Sequence, residues 1–68
     1  MNDDALHREK VQVERKQFFF DLKENPRGRF LRITEEVNGR RNQIVVPTGG
    51  LEDFRRIIGE MIEQDKRL

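Results

Sequence analysis

Residues 16–33 read K-Q-F-F-F-D-L-K-E-N-P-R-G-R-F-L-R-I. Two runs of alternating side chains flank Asn25-Pro26-Arg27-Gly28, where proline presets φ for a turn and glycine accepts φ > 0. That combination commits the segment to a β-hairpin. It also holds four of the five phenylalanines and five of the fourteen Lys/Arg residues. Strand residues alternate between faces, so rings and cations can share one open side. Single-stranded nucleic acid calls for that mixture: cations for phosphates, and rings on which unpaired bases stack.

The rest of the chain extends the hairpin into a sheet and then leaves it. Residues 8–14 alternate, with Val11 and Val13 against Lys10, Gln12 and Glu14. Asn38-Gly39 is a strong short hairpin signal and leads through Arg40 and Arg41 into a fourth extended run at 42–47. Pro47-Thr48-Gly49-Gly50 ends the strand pattern. From Leu51 the period becomes helical, with Phe54, Ile57, Ile58, Met61 and Ile62 continuing one stripe. Thr48 is the expected cap of that helix. Glu52 and Asp53 suit its positive end and Lys66 and Arg67 its negative end. The expected fold is α+β: a four-stranded antiparallel sheet followed by one C-terminal helix. Residues 1–7 are expected to form a flexible N-terminal segment, and 8–68 a single domain.

Period-two parity then sorts the side chains. Phe18, Phe20 and Leu22 share one face with Leu31, Ile33, Ile44, Val46, Val11 and Val13. One helix covers only one face of such a sheet, so this apolar face is expected to lie under the helix stripe. The opposite face takes Lys10, Gln12, Gln17, Phe19, Lys23, Phe30, Arg32 and Gln43. Two phenylalanines on a basic, polar face are not needed by the core. Either they pack against a second subunit or each other, or bases stack on them while Lys10, Lys16, Lys23 and Arg32 hold phosphates. Pattern alone leaves both readings open.

Length narrows the classes. With 68 residues the chain has room for one small domain, whose core is marginal unless something supplements it. There is no cysteine, so no disulfide or thiolate metal site staples it. One histidine assembles no zinc site. Oligomerisation is the remaining supplement. No apolar run is long enough for a membrane helix, the first residues lack signal-peptide order, and the cytoplasm, with nucleoid association as an option, is the expected location. Net charge is only +1, but residues 5–32 carry eight basic against four acidic side chains, and residues 48–68 four against five. The cationic character belongs to the first half.

Other chemistry fares poorly. Asp21 and Glu24 lack any sign of a pocket, and solvated or ion-paired carboxylates explain them. His7 has no nucleophile partner. Thr48-Gly49-Gly50 lacks the lysine and the remainder of a phosphate-binding loop. No enzyme, cofactor, metal site or small-molecule substrate is expected. Arg27 and Arg29 beside the turn glycine, and Arg40 and Arg41 on the Asn-Gly loop, read either as solvated charges or as phosphate contacts.

The stretch carried by Phe18, Phe19, Asp21, Leu22, Lys23, Asn25, Gly28, Arg29, Phe30, Leu31, Arg32 and Ile33 resembles the repeat of the Pur-alpha family, the purine-rich-element binding proteins. The segment I-V-V-P-T-G-G-L-E-D-F-R-R-I-I-G-E-M-I-E is similar to that family's last strand and helix, with Leu51, Phe54 and Arg55 in matching positions. The resemblance implies a β-β-β-β-α PUR repeat related to the Whirly fold. Two such repeats intertwine, so a chain with one repeat is expected to form a homodimer, as in bacterial relatives. It implies binding to single-stranded DNA or RNA, with preference for purine-rich sequence, and a transcriptional or post-transcriptional regulatory role. The aromatic contact of the family's second strand is matched by Phe19, the ring that parity leaves on the open face.

The expected nucleic-acid-binding residues are Lys10, Arg15, Lys16, Gln17, Phe19, Lys23, Arg27, Phe30 and Arg32. Where the family tends to place Asn and then a cation before the aromatic pair, this chain has Arg15, Lys16 and Gln17. The cations are kept, but an asparagine base contact does not carry over. The alternative from another class is a protein-interaction module using the same aromatic face. Nothing resembles a helix-turn-helix.

Overall fold

Three two-residue turns set the register of the sheet. In the computed structural model, which describes residues 5–68, four strands run as an antiparallel meander in the order β1-β2-β3-β4. They are β1 (His7–Val13), β2 (Lys16–Asn25), β3 (Gly28–Val37) and β4 (Arg40–Pro47). A 3-10 turn, Thr48–Gly50, and the helix α1 (Leu51–Arg67) follow. The expected elements are therefore present in the expected order.

The turns follow local chemistry with one exception. Between β3 and β4, Asn38 (φ 52°) and Gly39 (φ 78°) both occupy the left-handed region that this hairpin type requires. Between β2 and β3, the Arg27 N–H donates to Asn25 Oδ1 at 2.9 Å and Gly28 takes φ 132°. Between β1 and β2 the chain turns at Glu14 and Arg15, with Glu14 at φ 56°, a conformation that costs a non-glycine residue roughly 1–2 kcal/mol. Gln12 offsets part of that cost: its Nε2 donates to the Glu14 carbonyl at 3.0 Å, while its Oε1 accepts from Gln17 Nε2 at 3.0 Å.

β1 begins at His7, and the Leu6 N–H already donates to the Leu22 carbonyl at 2.7 Å. Ordered pairing thus reaches into the N-terminal segment expected at 1–7; residues 1–4 of it lie outside the described residues.

Register turns parity into rows. On one face, Val11, Phe18, Glu35 and Asn42 line up, then Glu9, Phe20, Ile33 and Ile44, then His7, Leu22, Leu31 and Val46. The nine apolar residues assigned to this face all lie on it. Their expected cover does not. No residue of α1 is buried, and the helix meets the remainder of its chain chiefly through the preceding 3-10 turn. Its stripe stays open, with Met61 at 61 % exposure. The principal-axis extents are 45 × 31 × 16 Å.

The expectation that α1 lies across its own sheet is corrected here. An apolar stripe shows that a helix needs a partner surface, but the connection decides which surface is in reach. Thr48 is not the helix cap either: Gly50 holds that position without a side-chain cap, and the Thr48 hydroxyl donates instead to the Arg29 carbonyl at 3.5 Å. Val46, packed 3.7 Å from where a Cβ on Gly50 would stand, is the one buried apolar residue among those described.

Candidate nucleic-acid interface

The second sheet face is also built in rows. Gln12, Gln17, Glu36 and Arg41 form the first, and Lys10, Phe19, Thr34 and Gln43 the second. Arg8, Asp21, Arg32 and Val45 form the third, and Lys23, Phe30 and Pro47 the fourth. This face carries five cations, Arg8, Lys10, Lys23, Arg32 and Arg41, against two carboxylates, Asp21 and Glu36. The apolar face balances Lys16, Arg29 and Arg40 against Glu9, Glu24 and Glu35. The positive potential thus collects on the side that bears Phe19 and Phe30, where a polyanion would be attracted.

Phe19 lies between two cations. Lys10 Nζ is 5.9 Å and the Arg41 guanidinium carbon 5.4 Å from its ring centroid. Each such contact is worth about 0.5–1 kcal/mol at an exposed site, whereas a stacked base is worth about 1–3 kcal/mol. A stacked base would therefore match or outweigh either cation contact alone. Arg41 is steered by Glu36, whose Oε1 lies 3.2 Å from the guanidinium. Two rows away, Phe30 lines an open cavity of about 440 Å³ with Val45, Pro47 and Arg27.

Asp21 is the most buried side chain described, at 2 % exposure. Arg8 Nε donates to its Oδ1 at 2.5 Å, and one terminal nitrogen of Arg32 to its Oδ2 at 3.2 Å. The Arg8 hydrogen bond, with help from Arg32, holds the Asp21 carboxyl below its ordinary value of 3.8, although burial works in the opposite direction. A depressed folded-state pKa stabilises the fold fully above the unfolded value, and that stability is lost as pH falls through the folded one. Thermal melts from about pH 6 down to about pH 3 should therefore fall more steeply for the wild type than for Asp21→Asn. Equal pH dependence would show that the pair contributes nothing to acid sensitivity.

Six of the nine residues expected to contact nucleic acid share this face: Lys10, Gln17, Phe19, Lys23, Phe30 and Arg32. Arg27 joins them at the β2–β3 turn, lining the same cavity as Phe30. Arg15 stands on the β1–β2 turn beyond the first row. Lys16 lies on the apolar face, with its Nζ 3.0 Å from Glu35. That lysine holds the Glu35 carboxyl below its ordinary value. Sequence reasoning left Arg41 open between a solvated charge and a phosphate contact, and did not assign Arg8 to the face. The Asn-Gly turn fixes the row of Arg41; Arg8 shares the parity of Lys10 and Gln12, but the Glu14-Arg15 turn carries no signal for its row.

Comparison with known proteins points the same way. Residues 1–66 match the family described as "PurA ssDNA and RNA-binding protein". The chain is 40 % identical over 65 residues to "Transcription factor Pur-alpha 1" of Arabidopsis thaliana, covering 96 % of this chain and 22 % of that protein. It is 38 % identical over 66 residues to "Transcriptional activator protein Pur-alpha" of Homo sapiens, covering 87 % and 20 %. To "Transcriptional activator plp-1" of Caenorhabditis elegans it is 40 % identical over 57 residues, covering 79 % and 25 %. The chain thus spans only about a fifth to a quarter of the length of the curated relatives it matches. A four-stranded meander, a trailing helix and this near-complete match agree: the chain belongs to the PurA family.

Proposed function

We propose that this protein binds single-stranded DNA or RNA, without catalysis, on the cationic sheet face, and that two copies pair through their apolar surfaces. The observation that carries the first part is the segregation of side chains. Phe19 and Phe30 stand among five cations while the aliphatic strand residues other than Val45 gather on the other side. Lys10, Gln17, Lys23, Arg27 and Arg32 surround the two rings, Arg8 and Arg41 add to them, and Arg15 extends the charge past the first row. Lys16, on the far side, contributes to the field rather than by contact. Preference for purine-rich strands fits stacking on these rings, because a larger base covers more of a ring. A regulatory role fits relatives named as a transcription factor and transcriptional activators.

Pairing is supported by energetics. One buried apolar residue among those described is far too little to hold a 68-residue chain folded. The open sheet face and the open helix stripe are each apolar. In a two-fold pair, the helix of one copy can cover the sheet of the other.

The test is fluorescence anisotropy with a purine-rich single strand, its complement and the duplex, each at two salt concentrations. Binding to the purine strand should be tightest and should weaken steeply with salt, as it does when cations displace counterions from phosphates. Binding that ignores salt, or none to any strand, would overturn the nucleic-acid reading and leave a protein partner for the aromatic face.

A further inference from the structure

A carboxylate is an odd choice for the most buried position on a face that collects cations. It is more odd because Asp21 takes that place in a chain with so little buried apolar surface. Removing a charge from water costs several kcal/mol, and a buried ion pair is weak grounds for stability by itself. What Asp21 does is hold two guanidiniums in one row. Arg8 lies opposite it on one side and Arg32 on the other. The two residues stand 13 and 11 positions away in the sequence, so only the folded sheet unites them.

The row also has a particular place. Along a strand, same-face neighbours are two residues, about 6.5–7 Å, apart. The Arg8–Asp21–Arg32 row lies one such step from the row of Phe19 and one step from the row of Phe30. A strand with bases stacked on both rings must carry its backbone across this middle row. A cavity of about 160 Å³ opens there, lined by the triad together with Phe19, Arg41 and Gln43. Two guanidiniums bring roughly ten N–H donors to a carboxylate with about four lone-pair sites. The carboxylate orients the two forks, and both side chains keep exposed surface, 51 % for Arg8 and 26 % for Arg32. Paired forks match the oxygens of a phosphate better than point charges do.

We propose that Asp21 is a positioning residue, holding Arg8 and Arg32 as a two-guanidinium clamp for the phosphodiester that links bases stacked on Phe19 and Phe30. This deepens the proposed function and rests on it. The clamp makes a prediction opposite to charge counting. Asp21→Asn removes a negative charge from the binding face, so charge alone predicts tighter binding with a steeper salt dependence. The clamp predicts weaker binding with a shallower one.

The experiment measures binding of the full chain to a purine-rich single strand across a salt series, for the wild type, Asp21→Asn and Arg32→Lys, with melting curves for each. Asp21→Asn should bind about tenfold more weakly, and the slope of log affinity against log salt should flatten by about 0.7 for each phosphate that is no longer neutralised. Arg32→Lys keeps the charge but removes the fork, and should weaken binding to a similar degree. Should Asp21→Asn melt without cooperativity, Arg32→Lys alone decides, with wild-type affinity overturning the clamp. A folded Asp21→Asn protein that binds as well as the wild type, or more weakly with an unchanged slope, overturns the clamp but leaves nucleic-acid binding intact. A wild type with no salt-sensitive binding overturns both.

Discussion

Replacing Ile58 by glutamate is expected to abolish the proposed dimer and unfold most of the protein. Ile58 sits in the middle of the helix stripe and is 55 % exposed in the single chain. If that exposure persisted in solution, the substitution would be an ordinary surface change, worth no more than about 0.5 kcal/mol. Covered by a second copy, the same position would force a carboxylate into an apolar interface, at a cost of several kcal/mol. The two cases differ by more than a small domain can absorb, since total stability is about 5–15 kcal/mol. Sedimentation should give the wild type a mass near twice 8.2 kDa, with a melting temperature that rises with protein concentration. The Ile58→Glu chain should lose both properties. An 8.2 kDa wild type whose melting ignores concentration would refute pairing.

The second large effect is on binding. Phe19→Ala should weaken affinity for a purine-rich single strand by about five- to 150-fold, the loss of about 1–3 kcal/mol for one stacked base. The fold should tolerate the change, because Phe19 points away from the apolar face and its neighbours in the row are Lys10, Thr34 and Gln43. Phe18→Ala makes the contrasting control. One residue earlier and on the opposite face, it should cost stability while leaving the binding surface of the remaining folded protein intact. Anisotropy paired with thermal melts separates the two. Equal affinities of Phe19→Ala and the wild type would show that bases do not stack on that ring. The salt slope should change little on Phe19→Ala, because the ring neutralises no phosphate.

These effects show how the two faces divide the work. In the proposed pair the apolar face and the helix stripe would carry the energy of assembly, and the cationic face would stay open for the strand. The division follows from period-two alternation, so a slip of one residue in any strand would exchange the faces. Tight turns guard against that slip, and the hydrogen bonds of Gln12 and Asn25 hold two of the three in place.

Much of this was written locally. The strands, the helix and the side of the sheet for each residue were legible because alternation and helical period depend on near neighbours. The same parity sets Lys16 with Phe18 and Phe20, away from Phe19, so its expected phosphate contact already conflicted with the pattern of its own strand. Asn-Pro-Arg-Gly and Asn-Gly are turn signals that fix the pairing of β2 with β3 and of β3 with β4. The alignment of Asp21 with Arg32 was therefore within reach of the sequence. Only the tertiary structure decided the rest. The Glu14-Arg15 turn has no signal residue, so the row that brings Arg8 to Asp21 depended on a strained turn that non-local pairing maintains. The path of α1 away from its own sheet was equally hidden, because an amphipathic stripe specifies that a helix must be covered and says nothing about which chain covers it.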